Sequence, residues 1–135
     1  MGGWYSIGIL VGLGTSLGVA TVAVLARSLP ALVVAGVISA VVGYFVFGWG
    51  EAVGGLLGAA CGTLGAGPIV TGALRRGGTR GGTAILLGLV ALVGAALAFV
   101  PVLGYLEALA VPLLGARLRR RSPDRHAGLR VLSRD

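Results

Sequence analysis

The sequence predicts an all-α integral membrane protein: a bundle of five transmembrane helices, alternatively four plus a re-entrant segment, packed through Gly/Ala small-residue faces. Composition is the first reason. Of the 135 residues 56% are hydrophobic, the mean hydropathy is +1.00, and only 11 basic and 4 acidic side chains interrupt the apolar runs. A soluble domain of this size has no core large enough to hide so much apolar surface. Length is the second reason, because successive apolar runs approach the ~20 residues that carry a helix across a ~30 Å hydrocarbon layer. The third is the recurrence of small residues at helical spacing. In lipid, such faces permit the close van der Waals approach on which helix association depends.

The first helix is expected over residues 6–26, an unbroken apolar run that follows Trp4 and Tyr5. Amphipathic rings of this kind favour the headgroup level. Gly8, Gly12, Thr15, Ser16 and Ala23 share one side of it. No charged leader or cleavage signal precedes the run, so it is expected to be retained as a helix. Arg27 and Pro30 end it. A second helix is expected over 30–49, with proline in its first turn and Tyr44 and Trp49 near the opposite interface.

The third helix, 52–74, is the expected centre of packing. Gly54, Gly58, Cys61, Gly62, Gly65 and Gly72 fall on one narrow face, with Leu56, Leu57 and Leu64 on the other. Gly67-Pro68 removes the donor that would reach the Leu64 carbonyl. That predicts either a bend shaped by packing or a broken helix exposing backbone to a ligand. The following RRGGTRGG, residues 75–82, is too rich in glycine to read as helix. It is expected to be a flexible cytoplasmic loop or a cradle for an anionic headgroup.

A fourth helix over 82–100 carries the small stripe Ala84, Gly88, Ala91, Ala95 and Ala98, and Pro101 with the PVLG turn is expected to end it. Residues 102–118 admit three readings: crossing, re-entrant or lying on the surface. Glu107 sits on the wheel among Leu103, Val111 and Leu114, so there is no polar face for surface binding. Only five crossings bring Arg27, Arg75, Arg76, Arg80 and the arginines of 117–134 to one side, as positive-inside bias requires. The expected topology in a cell (inner) membrane is N-terminus outside and C-terminus cytoplasmic, with Pro112 as a second kink. TSLG before Arg27 and GTLG before Arg75 echo each other, as a duplicated two-helix unit would.

Residues 1–118 are therefore expected to form the bundle and 119–135 a basic cytoplasmic tail. Arg119, Arg120 and Arg121, together with Arg75, Arg76 and Arg80, are the candidate contacts to anionic lipid headgroups. The arginines form no patterned face and include no recognition module, so a nucleic-acid partner is not expected. With one cysteine, Cys61, and one histidine, His126, neither a disulfide, a metal site nor a cofactor is expected. A nucleophile, base and orienting group are not brought together by any segment, so the chain is not expected to be an enzyme.

An ionisable group inside the span is costly and is a functional site by default. Glu107, with Glu51, is the candidate contact for a proton or cation. Small-residue stripes on four helices exceed what one bundle core needs, which predicts a homo-oligomer. The expected function is a channel or transporter for a small cation, proton or small solute. The alternative is a non-catalytic scaffold or accessory subunit whose basic tail binds a partner or anionic lipid.

Overall fold

A computed structural model describes residues 3–121, while the tail beyond it, including His126, lies outside the described residues. The described chain is helical, with no strand: α1 (Gly3–Leu25), α2 (Ser28–Val46), α3 (Trp49–Arg75), α4 (Arg80–Leu97) and α5 (Pro101–Arg121). Of these, α1 to α4 are long and apolar enough to cross a membrane. α5 carries Glu107 and four arginines in 21 residues, the arginines gathered in its last turns. It is nonetheless one continuous helix that does not turn back on itself, so a re-entrant hairpin does not form.

Neighbouring residues give the directions. α1 and α3 run parallel, with Ser6 against Glu51, Val11 and Thr15 against Gly58, and Gly18 against Gly62. α5 is parallel to both, with Gly104 on Gly8 and Gly115 on Gly65. α2 runs antiparallel to α3, with Gly43 beside Ala52 and Ser28 beside Gly67, and α4 antiparallel to α1, with Ala98 beside Gly12. The final turns of α1, α3 and α5 thus lie at one end of the bundle.

The expected central helix, α3, shares that place with α1, which touches all four others. The reason is that α1 carries glycine on two sides. Gly14 and Gly18 admit the backbone of α3 at Gly55, Ala59 and Gly62, while Gly8 and Gly12 admit α5 and the end of α4. The half of the bundle around these contacts is held backbone against backbone. The other half holds a side-chain core of Val19, Val22, Ala31, Ala66, Val70 and Ala91. Between them Thr15 and Thr63, both fully buried, each donate a hydroxyl hydrogen bond back to their own helix, to Val11 O at 2.8 Å and Ala59 O at 2.9 Å. Such bonds satisfy a buried hydroxyl without a partner helix.

Helix ends depart from expectation at three places. The break between α2 and α3 falls at Phe47 and Gly48, and Trp49 opens α3; Gly48 has φ +128°, which a side chain rarely tolerates. The RRGGTRGG stretch is loop only over 76–79. Thr79 caps α4 by accepting a hydrogen bond from Gly82 N at 3.1 Å, so Arg80, Gly81 and Gly82 become its first turn despite the glycines. Pro101 starts α5 and does not sit in a turn, since the first helical position needs no donor. α3 likewise continues as helix through Gly67 and Pro68, and α5 through Pro112, so neither is broken.

Ala26, just past α1, takes a left-handed φ of +52°. A Cβ there costs about 1–2 kcal/mol, and glycine removes that cost while adding unfolded-state entropy. Ala26→Gly is expected to leave stability unchanged or raise it by up to about 1 kcal/mol, read as a midpoint shift in thermal unfolding in detergent.

Candidate functional site

Each described carboxylate is held by a serine of α1. Ser6 Oγ donates to Glu51 Oε1 at 2.6 Å, and Ser16 Oγ donates to Glu107 Oε1 at 2.9 Å. The two serines are ten residues apart on one helix, roughly 15 Å along its axis, so the glutamates form two sites and not one.

Glu51 lies in the first turn of α3, beside Gly48. A carboxylate there faces the unpaired amides and positive dipole end of its own helix, which accounts for its position structurally. Tyr105 OH donates to Trp4 O at 2.9 Å at the same end of the bundle, and Tyr44 stacks edge-on against Trp49 at 5.0 Å.

Glu107 is the stranger group. Its carboxylate is enclosed by α5, by Ser16 of α1 and by Gly94 of α4, where a Cβ would strike Oε1 and lie 2.7 Å from Ser16 Oγ. Oε2 is buried with no hydrogen-bond partner. Its partner Ser16 lies half-way along α1, which places the carboxylate well inside the bundle. α4 has 18 residues against the 23 of α1, and its end packs on Gly12, so the turn into α5 is sunk below the start of α1. Glu107 sinks with it.

Ser16 and Gly94 were not predicted as site residues. Ser16 was legible only as a small residue. The signal available was that a carboxylate set among apolar helices needs a donor, and hydroxyls are few. Thr15, Thr21, Thr63 and Thr71 bond their own helices, whereas Ser6 and Ser16 bond the glutamates. Ser39 Oγ is a second buried atom with no partner, at the α2 and α3 contact beside Gly55.

The predicted packing glycines serve different neighbours. Gly54, Gly58 and Gly62 admit α1, Gly65 admits Val111 of α5, and Gly8 and Gly12 lie against Gly104. Gly88 is the exception, with open space where a Cβ would stand. The small faces of α1, α3 and α5 are therefore occupied largely within one chain. Arg75, Arg76 and Arg119 line a cavity between the ends of α3 and α5, whereas Arg80 and Arg120 do not line it. The side chain of Arg121 lies outside the described residues. Cys61 is half-buried on α3. Compared with protein-family models, with curated proteins and with solved structures, the chain matches none.

Proposed function

We propose that the protein is a small multi-pass membrane transporter or channel for a proton or small cation, in which Glu107 is the exchanging group. The observation that supports this is the unpaired Oε2 of Glu107 half-way along the bundle, with Oε1 held by Ser16. A carboxyl kept at that depth is expensive, and a group with one oxygen fixed and the other free is suited to take up and release a proton or cation. Glu51, paired to Ser6 at the end of the bundle, is a structural carboxylate in this reading. The bundle of one chain suffices for it, with the apolar residues of α2 and α4 turned to lipid. The basic ends of α1, α3 and α5 lie on the cytoplasmic side, by positive-inside bias. The scaffold reading rests on the tail 119–135, of which 119–121 are described, as the last turn of α5.

The test is dissipation of an imposed pH gradient, or of a sodium or potassium gradient, in vesicles holding purified protein. Wild type is expected to exceed protein-free vesicles, and Glu107→Gln to lower the protein-dependent rate at least about tenfold, since the interaction lost is confined to the transported state. Equal rates for the wild type and Glu107→Gln end the proposal.

A further inference from the structure

We infer that the cavity between the final turns of α3 and α5 binds the phosphate of an anionic phospholipid. Its volume is about 280 Å³, and its lining includes Pro68, Ile69, Arg75, Arg76, Leu118 and Arg119. Three arginines line it, Arg75 and Arg76 from the end of α3 and Arg119 from α5. The guanidinium of Arg76, just past the end of α3, folds back over the last turn, its nitrogens 3.7 and 3.8 Å from where a Gly72 Cβ would stand. Neither described carboxylate neutralises the cluster, because Glu51 is held by Ser6 at the opposite end and Glu107 by Ser16 half-way along.

Guanidinium forks match phosphate oxygens in geometry as well as charge, and arginine is weakly hydrated enough to make the exchange favourable. Convergent arginines at the cytoplasmic ends of membrane helices are a recurrent site for lipid phosphates. The remaining lining argues for a lipid over a soluble anion. Ile69, Pro68 and Leu118 form an apolar wall beside the arginines, as the glycerol and first acyl carbons of a phospholipid require, whereas a free phosphate gains nothing from them. The site is independent of Glu107.

The experiment uses the full chain in mixed micelles of phosphatidylglycerol and phosphatidylcholine, with bound lipid counted by native mass spectrometry. Wild type is expected to retain phosphatidylglycerol over phosphatidylcholine. Arg75→Gln/Arg76→Gln/Arg119→Gln is expected to lower that retention about tenfold or more, while Arg27→Gln/Arg80→Gln/Arg117→Gln, which removes the same charge elsewhere, stays within about twofold of wild type. Equal loss in the two triple variants would mean diffuse surface charge and overturn the site. Excess inorganic phosphate is expected to leave the lipid bound, and its displacement by phosphate would overturn the lipid assignment in favour of a soluble ligand. Unchanged helicity and melting of the variants accompany the measurement. Should the cavity triple unfold, Arg119→Gln alone is read instead, with an expected loss of about threefold and no loss overturning the site.

Discussion

Alanine at Gly58 or Gly62 is expected to destabilise the bundle by about 2–3 kcal/mol, and alanine at Gly88 to stabilise it by about 0.5–1 kcal/mol. The substitution is the same and the sign differs because of what the new methyl meets. At Gly58 it would strike the carbonyl oxygen of Val11 and lie 2.9 Å from Thr15 N; at Gly62 it would strike Thr15 O and lie 3.1 Å from the Cα of Gly18. These are backbone atoms of α1, so no rotamer change relieves the clash and the two helices must separate. Separation forfeits dispersion along the whole seam, including the contacts at Gly14 and Gly18. At Gly88 nothing lies within 4 Å, and alanine simply removes glycine's entropy cost in a helix. Denaturant or thermal unfolding in detergent measures both, and shifts of the same sign at Gly58 and Gly88 would contradict the described seam.

Ser16→Ala is expected to cost about 1–3 kcal/mol in the wild-type chain and close to nothing when Glu107 is leucine. Removing the serine hydroxyl leaves both carboxylate oxygens of Glu107 buried and unpaired, which exposes the full desolvation cost of the group. Replacing Glu107 by leucine removes that liability, and the freed Ser16 hydroxyl can turn to a carbonyl of its own helix as Thr15 does to Val11. Glu107→Leu alone is therefore expected to be neutral or stabilising, as replacement of buried charge by a hydrophobe often is. A double-mutant cycle by unfolding supplies the coupling, and additive costs would show that the hydrogen bond is not there. The same variant separates structure from function. A Glu107→Leu protein that is at least as stable as wild type yet carries no flux has lost an active group and not a structural one.

Much of the architecture was readable from local pattern. Five apolar runs gave five helices, and the arginines at their alternate ends gave the end at which α1, α3 and α5 finish together. What local pattern missed is what depends on register between helices. Five glycines of α3 were visible as one face, but which helix each would admit was not: Gly58 takes α1 and Gly65 takes α5, while Gly55, outside that face, takes Ser39 of α2. The weight of α1 was missed because its glycines lie on two sides, a pattern weaker on a wheel than one stripe. Glu107 stood out as an ionisable group among apolar neighbours. Ser16 did not, since its pairing follows from the short α4 lowering α5 against α1, and no single segment carries that information. The loop within 75–82 is shorter than its glycine content implies, because Thr79 caps α4 and draws Arg80, Gly81 and Gly82 into helix.

One asymmetry of the bundle bears on how anything reaches Glu107. α4 lies against α1 but only brushes α3 and α5. Most of its aliphatic surface points outward, including Ile85, Leu86, Leu89, Leu92 and Val93. α1, α3 and α5 each pack on one another through glycine, whereas α4 is held almost entirely by α1, at Gly12 and Ser16. The wall it supplies beside the carboxylate is Gly94. If Glu107 exchanges ions as proposed, α4, held mainly through α1, is the helix whose displacement would uncover the carboxylate with the least loss of packing.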